Sequence, residues 1–196
     1  MLPGKDDYII AADAGYSTLV SRGIVPDLVV GDFDSLSGAP DHPNIIRSPA
    51  EKDDTDMMLA VRQGMKRGFT TFIIEGGLDG RLDHTLANLQ VLAFISRNGG
   101  RGVLLGRDMC ATSVTNGSIG FKARASGIIS VFGVGDKAEG ITLSGLKYPL
   151  DNATVTSDYP IGVSNEFTGA SATVAVRNGT LIIVWAGSPE YLEGDI

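Results

Sequence analysis

Val29-Val30-Gly31-Asp32-Phe33-Asp34-Ser35 holds the key to the chain: an apolar run reaches a glycine and then two carboxylates one residue apart. This is the pattern of a strand end. Alternate side chains of a strand share a face, so Asp32 and Asp34 are expected to point one way while Phe33 turns inward. Two carboxylates on one face repel, and they stay ionised at neutral pH when a cation lies among them; oxygen donors of this kind suit Mg²⁺. The alternative for Asp-x-Asp is a solvated acidic loop, and the surrounding chain has to separate the two.

Upstream, residues 7–12 (DYIIAA) read as a buried strand ending at Asp13-Ala14-Gly15, followed by a short helix over 16–22 that Gly23 closes. Residues 28–31 repeat the strand-then-acid arrangement with Asp32, and 44–47 form a third short apolar stretch. Lys52-Asp53-Asp54-Thr55-Asp56 then opens a helix in which Met58, Leu59, Val61, Arg62 and Met65 supply a mostly apolar face. Acids in a first helical turn suit the positive end of the helix dipole, so N-capping accounts for one or two of these aspartates and less well for all three. Residues 70–75 (TTFIIE) read as a further central strand running into Gly76-Gly77-Leu78-Asp79-Gly80-Arg81-Leu82-Asp83-His84. Beyond it, Leu82, Leu86, Leu89 and Ala93 form one helical stripe, widened by Leu92 and Ile95, until Asn98-Gly99-Gly100 stops the helix. Glycines between a strand and a helix let backbone N–H groups approach an anion, and Arg81 adds a fork for phosphate oxygens. Alternating strands and helices predict a mainly parallel sheet with flanking helices, whose ligands lie beyond the carboxyl ends of the strands. Each acidic cluster falls at such an end.

From about Gly102 helices give way to short strands at 102–105, 110–115, 128–134, 138–143, 153–156, 173–177 and 180–185. Asn116-Gly117 and Asn178-Gly179 are hairpin signals. The expected architecture is α/β, an N-terminal domain over 1–117 followed by a small all-β sandwich over 118–196. Among 196 residues the hydrophobic fraction is 43%, enough for a substantial core. No stretch approaches the roughly 20 apolar residues of a membrane span, and the N-terminus lacks the order of a signal peptide, so a cytoplasmic location is expected. The net charge of −7 argues against nonspecific nucleic-acid binding. The single cysteine, Cys110, rules out an internal disulfide or a Cys-rich zinc site and reads as a buried apolar residue.

Taken together, Gly31-Asp32-Phe33-Asp34-Ser35, Lys52-Asp53-Asp54-Thr55-Asp56 and Gly76-Gly77-Leu78-Asp79-Gly80-Arg81-Leu82-Asp83-His84 with Ala87-Asn88 resemble the thiamin pyrophosphokinase family. The resemblance extends through Ala12-Asp13-Ala14-Gly15, Gly145-Leu146-Lys147-Tyr148-Pro149-Leu150 and Ser164-Asn165-Glu166-Phe167, in order along nearly the whole chain. It implies an α/β catalytic domain joined to a β-sandwich thiamin-binding domain, a homodimer with sites between subunits, and pyrophosphate transfer from ATP to thiamin. By the same resemblance Asp32, Asp34 and Asp56 are Mg²⁺ ligands, and Asp13 and Asp83 are further acids of the site. Asp34 or Asp83 is a candidate proton acceptor. Lys52 and Arg81 hold ATP phosphates, with Thr55 and Asn88 in polar support.

Ser164 and Asn165 are implied to bind the aminopyrimidine of thiamin; the alternative is an ordinary turn with Asn in a left-handed conformation. Trp185 either stacks on an aromatic ligand or packs in the core or a dimer interface. The chain departs from the family pattern at Ala14, where Gly is usual, and at Asp79, where a further Gly is common. Members also usually carry a strand and a Gly-rich turn before the segment that starts here near Asp7, so a difference at the sheet edge and in nucleotide binding is expected. Two rival readings remain: a thiamin- or nucleotide-binding protein without catalysis, and a Mg²⁺-dependent phosphatase with Asp32 as nucleophile.

Overall fold

The computed structural model describes residues 3–33, 40–47 and 54–194, in two compact units that part between Phe69 and Thr70. In the first unit, three short strands, β1 (Ile10–Ala12), β2 (Leu28–Gly31) and β3 (Ile45–Arg47), pair in parallel in that order. Helices α1 (Gly15–Ser21) and α2 (Asp56–Lys66) cover opposite faces. Strand alternation divides the apolar residues between them. Ala11 and Val29 pack with Phe33, Tyr16 and Leu19 on the α1 side, while Leu28, Val30, Ile10 and Ala12 meet Ala60 and Leu59 of α2. Thr55 caps α2, its hydroxyl accepting from the Met58 N–H at 3.2 Å.

The second unit is built on one seven-stranded sheet. Its order is β4 (Thr71–Glu75), β5 (Arg101–Leu105), β6 (Met109–Phe121), β10 (Ala172–Ala186), β7 (Ile128–Ser144) and β8 (Leu150–Thr156), with the short β9 (Asn165–Glu166) on β7. β4 and β5 are parallel and the other pairs antiparallel. Helix α3 (Leu82–Arg97) joins β4 to β5 and packs on β5, β6 and β10. The architecture is thus mixed α/β with a β-rich second half, as expected.

Several local expectations are corrected. β4 is not central: it ends the order of the β-rich sheet, because its pairing partner is β5. Neither Asn-Gly dipeptide makes a hairpin. Asn116-Gly117 lies inside the 13-residue β6 and Asn178-Gly179 inside the 15-residue β10, where the register shifts between Val176 and Thr180. The positive φ of Asn116 (48°) and Gly179 (122°) is used for a bulge, which bends a continuing strand instead of reversing it. The Asn116 side chain locks the bulge by accepting from the Gly179 N–H at 2.8 Å. Likewise 128–134 and 138–143 belong to one 17-residue strand, β7. On α3 the buried side chains are Asn88, Val91, Leu92, Ala93 and Ile95, whereas Leu82 and Leu86, assigned to the apolar stripe, are exposed.

The core of this unit runs from Val103 to Leu192 and includes Phe121, Ile141, Leu181 and Ile183. Trp185 is fully buried in it, edge-on to Phe121 with ring centres 5.4 Å apart, and its indole N–H donates to the Ser188 carbonyl at 3.1 Å. It is a core residue. Cys110 is buried too, and desolvation pushes its thiol up to about 11. Among the described residues no helix is long and apolar enough to cross a membrane. Truncation of Trp185 removes the largest fully buried side chain, so Trp185→Ala is expected to cost about 3–5 kcal/mol, read as a lower urea midpoint by circular dichroism.

Candidate active site

The first unit brings three carboxylates together at the carboxyl edge of its parallel sheet. β1 and β2 run in register with Ala12 opposite Val30, so the residues that follow, Asp13 and Gly31, lie side by side. The Asp13 N–H donates to the Val30 carbonyl at 2.8 Å, extending the ladder by one bond. Asp13 itself turns to a φ of 44°. A Cβ on Gly31 would stand 3.2 Å from the Asp13 Cα and 3.2 Å from the Phe33 ring, at a φ of 151° that only glycine adopts freely. Asp32 follows directly, and Asp56 enters from the first turn of α2.

One carboxylate oxygen from each of Asp13, Asp32 and Asp56 lies within 4.8 Å of the others, and all three side chains are half-buried. Oxygens on an octahedral Mg²⁺ ion with bonds of about 2.1 Å are about 3 Å apart when adjacent and about 4 Å when opposite, so this donor set suits a small hard cation once the carboxylates close on it. Water completes the coordination of such an ion in most protein sites. Of the acids expected as ligands, Asp32 and Asp56 lie in the cluster, together with Asp13. Asp34 and Lys52 lie outside the described residues.

β2 ends at Gly31 and Phe33 has a φ of 67°, so strand alternation does not govern this stretch, although the Phe33 ring is buried as expected. Of the acids before α2, Asp54 pairs with Arg62 at 3.1 Å and Asp56 faces the cluster. Thr55 is spent as the cap. The signal for Asp13 was present in the sequence, since two parallel strands each followed by an acid place those acids as neighbours.

In the second unit the glycine loop lies between β4 and α3. Arg81 and Asp83 form a two-pronged ion pair, Nε donating to Oδ1 at 3.1 Å and Nη2 to Oδ2 at 2.6 Å. The Asp83 carboxylate also accepts from the His84 N–H at 2.9 Å. Its hydrogen bond with Arg81, followed in weight by that backbone bond, holds the Asp83 carboxyl below the usual carboxylate range. The pair is fully exposed, and it leaves both Nη1 protons of Arg81 for another acceptor.

Asn88 is buried and donates to the Gly77 carbonyl at 2.9 Å, so it braces the loop from beneath. Gly77 has no room for a side chain: a Cβ there would stand 2.5 Å from Leu104 Cδ2. The Asp79 carboxylate accepts from the Arg107 N–H at 3.0 Å, a contact that sequence spacing does not show.

The two later motifs are bound to each other. Lys147 N–H donates to the Glu166 carbonyl, and the buried Asn165 amide clamps the Tyr148 backbone, accepting from its N–H at 3.0 Å and donating to its carbonyl at 2.7 Å. Asn165 Oδ1 also accepts from the Glu166 N–H. The left-handed residue of this turn is Ser164, with φ 59°, and not Asn165. Tyr148, Leu150, Ile161, Val163, Leu143 and Asn165 line a cavity of about 260 Å³.

This combination defines an α/β protein with a carboxylate cluster suited to a divalent cation, followed by a β-rich unit with an apolar cavity. Two family models match in succession, the thiamin pyrophosphokinase catalytic domain over residues 2–102 and its vitamin B1 binding domain over 119–181. The thiamine pyrophosphokinase of Bacillus subtilis is 29% identical over 182 residues, covering 89% of this chain and 85% of that protein. Thiamin pyrophosphokinase 1 of Caenorhabditis elegans is 26% identical, covering 84% and 73%. The crystal structure of the B. subtilis protein superposes with a TM-score of 0.83 at 27% identity over 95% of this chain and 90% of that one. The Candida albicans thiamin pyrophosphokinase shares the fold at 16% identity with a TM-score of 0.77, over 93% and 82%. The chain belongs to the thiamin pyrophosphokinase family, a family of enzymes.

Within 4.8 Å, two unit charges repel by about 3 kcal/mol or more at an effective dielectric of about 20, so the carboxylate cluster favours a cation and tolerates the loss of one charge. Asp32→Asn is expected to leave the metal-free protein at least as stable as the parent and to lower Mg²⁺ affinity at least tenfold. Thermal midpoints across a Mg²⁺ titration read both effects.

Proposed function

We propose that this chain transfers pyrophosphate from ATP to the hydroxyl of thiamin, giving thiamin diphosphate and AMP. The observation that carries the reading is the Asp13, Asp32 and Asp56 cluster, placed at the carboxyl edge of a parallel sheet within the stretch that the catalytic-domain model matches. Asp32, Asp34 and Asp56 are proposed as the Mg²⁺ ligands, with Asp13, which lies in the same cluster as Asp32 and Asp56, as a further acid. Bound there, the ion neutralises triphosphate charge and draws the phosphates to an otherwise acidic chain.

Arg81, oriented by Asp83, offers its two Nη1 protons to a phosphate oxygen, and Lys52 is proposed as a further phosphate cation. Thr55 and Asn88 act through structure, capping α2 and holding the glycine loop. The thiamin oxygen bonds to the β-phosphorus, the bond from that phosphorus to the bridging oxygen breaks, and AMP carries the bridging oxygen away. The hydroxyl proton is lost to water or to Asp34. Asp83 is the poorer acceptor because Arg81 keeps it acidic. Positioning and charge stabilisation supply most of the catalysis in such transfers, so no strong base is required.

Thiamin is proposed to enter the cavity lined by Tyr148, Leu150, Ile161 and Val163. Asn165 shapes this cavity by clamping Tyr148, and Ser164, exposed and between the lining residues Val163 and Asn165 in sequence, is proposed to meet the aminopyrimidine. Its volume of about 260 Å³ falls below the usual range for an organic ligand, and Tyr148, Ile161 and Val163 of its lining are exposed. A homodimer that closes the cavity with a second copy accounts for both facts. The functional division proposed is a catalytic domain over 1–117 and a thiamin-binding domain over 118–196. Cytoplasmic residence fits the single buried thiol.

AMP release from ATP and Mg²⁺ is expected to depend on thiamin and to fall at least a hundredfold in Asp32→Asn; AMP formation indifferent to thiamin would refute the reading. Ile161→Asp is expected to shift the sedimenting species from dimer to monomer and to raise the KM for thiamin at least tenfold.

A further inference from the structure

The parallel pairing of β4 and β5, with Glu75 opposite Leu105, sends two loops off the same edge of the second unit side by side. One is the glycine loop, 76–81; the other is the β5–β6 turn at 106–108. They are fastened twice. A Cβ on Gly106 would stand 3.0 Å from Leu78 Cβ, so the turn rests directly on the loop, and the next residue along donates its N–H to Asp79 Oδ2 at 3.0 Å. That residue is Arg107, whose side chain is exposed.

The two arginines of this edge are differently engaged. Arg81 gives Nε and Nη2 to Asp83. Among the described residues no carboxylate forms an ion pair with the Arg107 guanidinium. An acid at position 79 would by itself repel a polyphosphate. Here one oxygen of the Asp79 carboxylate accepts a backbone N–H, and the residue it holds is a cation.

Resting on the pyrophosphokinase reading, we propose that Arg107 is a further phosphate-binding cation of the nucleotide site, beside Arg81, and that Asp79 is the positioning residue that fixes its loop. Two guanidinium groups on adjacent loops, one half-occupied and one open, suit two neighbouring phosphate groups better than a single one. The ligand selected is therefore the polyphosphate tail of the nucleotide, and discrimination between ATP and AMP follows from it. Asp79 touches no substrate; it acts through the Arg107 backbone.

The test uses the full chain with Mg²⁺ and compares calorimetric binding of α,β-methylene ATP, which the transfer cannot cleave, with binding of AMP. Arg107→Ala is expected to weaken the ATP analogue about tenfold, the scale of one charged hydrogen-bonding group, and to leave AMP within twofold. In turnover it raises the KM for ATP with kcat within about twofold, and Arg107→Lys recovers part of the loss. Asp79→Ala moves the same quantities in the same direction by less, whereas Asp79→Asn, which keeps an acceptor oxygen, stays near the parent. Unchanged analogue binding in Arg107→Ala overturns the inference alone. Asp79→Asn as weak as Asp79→Ala overturns the positioning role. A parent protein that binds no ATP analogue overturns the pyrophosphokinase reading and this inference with it.

Discussion

One backbone bond, from the Asp13 N–H to the Val30 carbonyl at 2.8 Å, sets the geometry of the acidic edge. It carries the β1–β2 ladder one residue past the strand, and that extra residue is an aspartate beside a glycine. With any other residue at 31, a side chain would strain the positive φ, and the Asp13 backbone and the Phe33 ring would have to give by a few tenths of an ångström. The clustering of these carboxylates thus depends on the missing atoms at Gly31 as well as on the acids themselves. Helix α2 adds the third acid because its apolar face, Leu59 and Ala60, is committed to the sheet, which points Asp56 along the edge.

Much of this was legible in the residues. Parallel strands that each end in an acid predict convergent carboxylates, and Asp13 and Asp32 lie together in this way, joined by Asp56 from the start of α2. Short motifs were less informative about what each side chain does once folded. Thr55, Asn88 and Asn165 stand in motif positions, yet their hydrogen bonds go to backbone: a helix cap, a glycine-loop carbonyl and both polar groups of Tyr148. Sequence spacing cannot separate a side chain that touches a ligand from one that holds the chain that does. The Asp79–Arg107 contact bridges 28 positions and depends on parallel pairing of β4 with β5, which no local pattern specifies.

The β-rich half shows the opposite limitation. Strand positions were largely correct, but Asn-Gly within a β pattern is ambiguous between reversal and bulge, because both need a positive φ. The decision is made by partners far away in sequence: β10 runs between β6 and β7 along its length, and a reversal at 178–179 would break both ladders. Continuity of a long strand is a tertiary property. The same holds for Leu82 and Leu86, whose helical spacing matches the buried face of α3 but which lie a turn beyond the part of the helix that the sheet covers.

The bulge lock also bears on how the protein ages. Asparagine followed by glycine is the dipeptide most prone to deamidation, a reaction in which the glycine nitrogen closes onto the asparagine side chain. Here the Gly179 N–H is bound to the Asn116 carboxamide, and the Asn178 amide donates to Glu139 at 3.2 Å, so both reacting groups at 178–179 are held in other bonds. The Asn116 carboxamide is engaged by the same lock. Two sequences that would isomerise readily in an unfolded chain are protected by facing each other across one pair of strands, and their chemical lifetime is tied to the persistence of the folded sheet.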